Sequence, residues 1–237
     1  MKKIKKVILI VLLLLSHSLL YSIPADPSSI LDNIYNYNFR QAADGLKSLD
    51  IKDPVIGETL SLEIEWWKAM DREDNNRFSE FLKTLQQFET GAKNELAELI
   101  SSTYRLRYYA CNKKSYLIPF LFIKIQKQIK TIDPERLKVL NDGKLELLIM
   151  YKSFLTLIRD RYFIDGFFTV SGRKKELIGN IEGIIRNSIS PNRTLGRYFL
   201  MKYYMDVEKD KSKAFIYLSE LHEQYPQNKI FTQLLTN

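Results

Sequence analysis

Residues 193–228, RTLGRYFLMKYYMDVEKDKSKAFIYLSELHEQYPQN, are the stretch whose reading decides the fold. It divides into two antiparallel helices. The first, roughly Thr194 to Val207, carries Tyr198, Phe199, Met201, Tyr203 and Tyr204. The charged turn Glu208-Lys209-Asp210-Lys211 ends it. In the second, Ala214, Leu218, Leu221 and Tyr225 stand four, three and four residues apart, one stripe of a helical period. Tyr225-Pro226-Gln227-Asn228 then stops the helix, because proline cannot continue it.

The same unit recurs near the start of the chain. Ala42, Leu46, Leu49 and Pro54 repeat the offsets of Ala214, Leu218, Leu221 and Pro226. The small alanine admits a neighbouring helix, the leucines fill the space beside it, and the proline ends the turn. Aromatic segments precede both alanines: Tyr35, Tyr37 and Phe39 in one case, Tyr198 to Tyr204 in the other. The alanines lie 172 positions apart, very nearly five periods of about 34 residues.

This helix pair resembles a tetratricopeptide unit, clearly at Ser28 to Met70 and at Thr194 to Asn228. In the middle of the chain the alanine-to-proline offsets do not recur. The resemblance is to the divergent, envelope-targeted tetratricopeptide proteins of bacteria. It implies an all-α, tetratricopeptide-like α-solenoid of antiparallel helix hairpins. It also implies that the first helix of each pair lines a concave groove that binds a protein or peptide segment through polar, basic and aromatic side chains. On that basis Tyr104, Arg105 and Tyr108 on one long helix, with Arg197 and Tyr203 on another, are the candidate groove residues. The alternative is that the tyrosines pack between helices while the arginines are solvated or pair with Glu95 and Glu98. The family's basic clamp for a peptide carboxylate has no convincing counterpart here.

The rest of the chain reads as helix after helix. Pro27-Ser28-Ser29 opens the first, with Ile30, Ile34 and Tyr37 on its apolar stripe. Val55 to Met70 is apolar on two faces, Leu60, Ile64 and Trp67 on one, Leu62, Trp66 and Ala69 on the other. A helix patterned this way is covered on both sides, as an inner helix of a stack would be. Phe78, Phe81, Leu82, Leu85 and Phe88 form a clean amphipathic stripe. A longer helix spans about Ala92 to Ala110. Tyr116 to Ile129 is helical with Pro119 in its first turn. Asp133-Pro134-Glu135 starts a helix that continues to about Tyr162, with Asn141-Asp142-Gly143 as a point of interruption. Positions 165–173 form an aromatic, glycine-flanked irregular loop, and helix resumes at about Lys174. Phe231, Leu234 and Leu235 mark a short capping helix. The total is about eleven helices, or five to six hairpins.

Four lysines, Lys2, Lys3, Lys5 and Lys6, precede the unbroken apolar run Val7 to Leu15. This is the layout of a secretory signal peptide, and the run is short of the about 20 residues a membrane span needs. Residues 1–25 are therefore expected to be a leader, cleaved after Ser22 or Ala25, with an uncleaved anchor as the alternative. The leader has no cysteine, which argues against a lipoprotein anchor. The remaining residues, 26–237, are expected to form a single helical domain in the bacterial periplasm or secreted, touching membrane only through an uncleaved leader. The chain's formal charge of +8 falls to +4 without the leader's four lysines. That charge is too mild to argue for nucleic acid, and no basic run interleaves with aromatics as such binding requires.

Little in the sequence points to chemistry. Cys111 is the lone cysteine, so no internal disulfide forms; it is expected to be a half-buried structural thiol. His222 is the one histidine beyond the leader, and a zinc site needs three or four clustered ligands. Neither a glycine-rich phosphate loop nor a nucleophile elbow is present. Glu63 and Glu65 diverge on their helix, and such carboxylates are expected at the surface. No cofactor or metal is expected. The sequence therefore points to a non-catalytic scaffold. One alternative is an envelope enzyme acting on cell-wall glycan, which would need a deep cleft holding one buried glutamate among aromatics. Another is a structural subunit of an outer-membrane complex.

Overall fold

The computed structural model describes residues 26–49, 54–72, 74, 76–91, 94–112, 114–135, 137, 143–162, 171–188 and 191–236. The expected leader lies outside them. The described chain is all-α, without strands, and contains eleven α-helices: α1 (Pro27–Tyr35), α2 (Phe39–Ser48), α3 (Pro54–Asp71), α4 (Ser79–Gly91), α5 (Glu95–Cys111), α6 (Ile118–Thr131), α7 (Lys144–Tyr162), α8 (Ser171–Asn187), α9 (Pro191–Lys202), α10 (Lys211–Gln224) and α11 (Lys229–Thr236). A 3₁₀ turn, Ser115–Leu117, precedes α6, and a π-helical segment, Tyr203–Glu208, extends α9.

The helix ends follow local chemistry. Asp26 caps α1 by accepting from the amides of Ser28 (2.6 Å) and Ser29 (3.0 Å). Asn94 caps α5 through the amide of Ala97, and Asp210 caps α10 through that of Lys213. Lys209 ends the π-helical segment in a left-handed conformation, φ 59°. The helix read from Asp133-Pro134 to Tyr162 is interrupted where the sequence placed its break: Gly143 adopts φ +81°, a conformation that breaks an α-helix, and α7 starts at Lys144. A later boundary differs from the expected one. Helix α8 begins at Ser171 instead of Lys174; the rest of the expected loop, 165–170, lies outside the described residues.

Each helix packs on the next in sequence from α1 to α11, and α1 also packs on α3 and α7 on α9. This is the neighbour order expected of stacked hairpins. Helix α3 is covered on both faces, as its pattern requires: Leu60, Leu62, Ile64, Trp66, Trp67 and Ala69 are all buried. The terminal hairpin is packed as its stripe predicts, with Ala214, Leu218, Leu221 and Tyr225 buried. Its counterpart near the start is looser: Ala42 is buried, but Leu46 and Leu49 only partly. Gly196 lets α9 approach α8 closely, since a Cβ there would lie 2.9 Å from Cγ1 of Ile185.

The two ends of the chain meet. Helix α9 packs on α1. The Tyr225 ring packs tilted on Tyr35, 5.1 Å between centroids, and Tyr35 meets Trp67 edge-on at 5.2 Å. Trp67 also contacts Tyr198 and Phe231. The Tyr225 hydroxyl donates to Asp32 at 3.0 Å, and Lys229 pairs with Asp71 at 2.8 Å. The stack therefore curls until its last hairpin and cap touch its first.

Candidate functional site

Curling encloses a cleft of about 480 Å³, within the usual size range of ligand sites. Its walls come from α1, α3, α5, α7 and α9, or from the residues immediately before α1 and α7, so the first helix of each successive pair faces inward. The lining is largely apolar: Leu31, Ile56, Leu60, Ile100, Leu147 and Leu195 are among its side chains.

A buried polar cluster stands in this wall. Glu63 lies on α3 between buried Leu62 and Ile64, and is itself buried. Its Oε1 accepts from the Tyr35 hydroxyl at 3.2 Å, and its Oε2 accepts a short hydrogen bond from the Tyr104 hydroxyl. Arg107 Nη1 lies 3.6 Å from Oε2, and its guanidinium stands over the Tyr104 ring, 4.8 Å from the centroid. Three helices, α1, α3 and α5, are thus tied to one carboxylate.

The electrostatics follow from burial. Burial pushes the phenols of Tyr35 and Tyr104 well above the ordinary tyrosine value, and the adjacent Glu63 pushes them the same way. Burial also raises the Tyr151 phenol in the same wall. At Arg107 burial opposes the charge, but Glu63 and then the phenols of Tyr151, Tyr104 and Tyr198 outweigh it, so the guanidinium is held firmly protonated. Arg107 and Glu63 are each other's counter-ions, and both phenol donors are spent on Glu63. At the rim, Asp26 is occupied in capping α1, while Asn192 donates to the carbonyl of Gly143 and to Glu146, both at 3.0 Å. The cleft therefore offers apolar surface and shape, with its polar groups largely satisfied among themselves.

The five residues read from sequence as a groove do not converge on one surface. Tyr104 lines the cleft. Arg105, one position on, points elsewhere: its Nε donates to Glu89 at 3.1 Å, beside a second cleft shared with Glu98 and Lys124. Its partner is Glu89, not the Glu95 or Glu98 considered from sequence. Tyr108 packs with Phe78, 5.4 Å between ring centroids, and with Phe81 and Tyr109. Arg197 pairs with Glu220 at 2.7 Å and donates to Gln224 at 2.8 Å. Tyr203 is buried and donates to Glu208 at 2.7 Å. Tyr104 and Tyr108 are four apart and lie on one side of α5, but Phe78 and Phe81 cover Tyr108 and Glu89 holds Arg105, so Tyr104 alone of the three reaches the cleft.

Two further expectations are corrected. Glu63 is not a surface carboxylate: a residue between two buried faces of an inner helix has no solvent side. That two-faced pattern was the available signal. Cys111 is exposed, not half-buried, because it falls in the last turn of α5, past the packed stretch Leu96 to Tyr104. Among the described residues no group of His, Cys, Asp and Glu is placed to hold a metal ion, and no helix is long and apolar enough to cross a membrane. No family model, curated protein or solved structure matches the chain.

Proposed function

We propose that this is an exported, tetratricopeptide-like binding module of the bacterial envelope, non-catalytic, whose central cleft receives an apolar anchor from a protein or peptide partner. The observation that carries this reading is the origin of the cleft: its walls come from the first helix of each of five successive pairs. Such a surface suits a partner that inserts aliphatic or aromatic side chains, since the polar groups in its wall are already engaged with one another. The leader pattern at residues 1–25 supports the envelope as its place of work.

The test is affinity capture after gentle cross-linking in the native envelope. The intact cleft is compared with Leu147→Trp, which fills it with a larger apolar side chain. One protein recovered reproducibly by the first and lost by the second is the expected result. Equal recovery by both, or nothing above background with the intact cleft, overturns the reading.

A second reading rests on Glu63, a buried glutamate held between Tyr35 and Tyr104 in a cleft, the feature an envelope glycan hydrolase would need. Two facts weigh against it. Both carboxylate oxygens are held by donors, and the other acid on the wall, Asp26, is bonded to backbone amides. A glycosidase needs a free acid and a second carboxylate across the bond. Turnover of cell-wall fragments that Glu63→Gln abolishes, in a variant with unchanged thermal unfolding, would establish catalysis instead.

A further inference from the structure

We propose that the outer face of α6 docks on an anionic lipid bilayer. The helix buries Leu121, Phe122, Ile125 and Ile129 against the fold. Its opposite side leaves large apolar groups in solvent: Phe120 is 73 % exposed, Ile123 57 %, and Tyr116 of the preceding 3₁₀ turn 69 %. On the same side, further along, Lys124, Lys127 and Lys130 are exposed. Positions 120, 123, 127 and 130 are three, four and three apart, so apolar and basic groups form one continuous stripe.

The charge is one-sided. From residue 113 to residue 131 the sequence has five lysines and no acid. Glu98 of α5 meets α6 on its packed side, through Gln128 at 3.4 Å, and Glu89 is held by Arg105. Lys124 shares a cleft with these two acids; among the described residues, none of Lys124, Lys127 and Lys130 is in an ion pair.

These features select the occupant. Aromatic and aliphatic groups at one end, lysines along the rest and no acid between them are what a helix lying in the plane of an anionic surface requires. The apolar groups enter the headgroup boundary, and the lysine stems let their ammonium groups reach the phosphates. A second copy of the chain is a poorer occupant, because a two-fold contact would set this lysine-rich stripe against itself. With 14 residues, α6 is too short to span, so docking is parallel to the surface. This contact is additional to any made by the leader and independent of the central cleft.

The test is co-sedimentation of the full chain with vesicles of phosphatidylglycerol and phosphatidylcholine in equal parts, and with pure phosphatidylcholine vesicles. Two variants accompany it: Phe120→Ser with Ile123→Ser, and Lys124→Gln with Lys127→Gln and Lys130→Gln. The altered side chains are exposed, so thermal unfolding should be unchanged. Any binding through the leader is common to all forms, and the difference between forms is the readout. We expect each variant to bind the anionic vesicles at least about tenfold more weakly, and added salt to weaken the native chain. Binding equal to that of the native chain in either variant overturns the proposal, as does equal binding to neutral vesicles. A solution dimer that the Phe120/Ile123 variant dissolves would overturn it in favour of a second copy.

Discussion

The Asn228 side-chain amide donates to the backbone carbonyl of Tyr35 at 2.9 Å, joining positions 193 residues apart. Asn228 is fully buried. Its Oδ1 also caps α11, accepting from the amides of Ile230 (3.1 Å) and Phe231 (3.2 Å). One side chain thus closes the curl and starts the capping helix. Asn228→Ala removes the cap and leaves a buried carbonyl unpaired, so it should cost about 2–4 kcal/mol. Urea unfolding measures this. A loss under about 0.5 kcal/mol would mean that the aromatic contacts, the Tyr225–Asp32 hydrogen bond and the Lys229–Asp71 pair hold the ends together without Asn228.

The Glu63–Arg107 pair makes a sharper prediction. Glu63→Leu leaves a buried guanidinium without its counter-ion and should cost about 3–5 kcal/mol. Exchanging both, Glu63→Leu with Arg107→Met, should recover only part of that loss: the unpaired guanidinium is gone, but the buried Tyr35 and Tyr104 hydroxyls still lack their acceptor. A double-mutant cycle on unfolding free energy decides it. Additive losses would show that the two groups do not depend on each other.

Stability should fall steeply in alkali. Tyr35 and Tyr104 have folded-state values raised far above the ordinary 10.0. Below about pH 10 both folded and unfolded chains keep these phenols protonated, so the contribution is fully present. Above it the unfolded chain releases protons that the folded chain retains, and each such phenol removes about 1.4 kcal/mol per pH unit until its folded-state value is reached. The melting temperature should be flat in this respect up to about pH 9 and drop beyond it. Tyr104→Phe should shallow that slope by about one proton; an unchanged slope would refute the assignment.

The two hairpins that share these residue offsets should respond unequally to the same substitution. Leu218 is fully buried and Leu46 is not. Leu218→Ala should cost roughly 2–5 kcal/mol, and Leu46→Ala about 1 kcal/mol or less. Equal losses, read from denaturation midpoints, would mean that the first hairpin packs as tightly as the last.

Much of the architecture was legible from spacing. The stripe Ala214, Leu218, Leu221, Tyr225 and the two-faced run Leu60 to Ala69 appear in the fold as their periods require. Among the described residues the helix count matches the expected eleven. Periodicity works here because it records which side of a single helix avoids water. The candidate site was less legible. Of the five groove residues, Tyr104 alone reaches the central cleft; its partner Glu63 was expected at the surface, and Arg107 was not among the groove residues. Residue type marks a side chain as aromatic or basic, but which neighbour covers it depends on helices dozens of residues away.

The sequence by itself determined that the chain is helical, where most helices start and stop, and which stripe of each faces inward. These are local properties, set by caps, by Gly143 and the prolines, and by the spacing of apolar residues. Only the tertiary structure decided that the stack curls far enough for Asn228 to reach Tyr35, that a cleft opens among the first helices of the pairs, and that Glu63 is buried against Arg107. Curvature accumulates from a small rotation at every helix contact. The helical period carries no record of that rotation, because it is set by how side chains on different helices interlock.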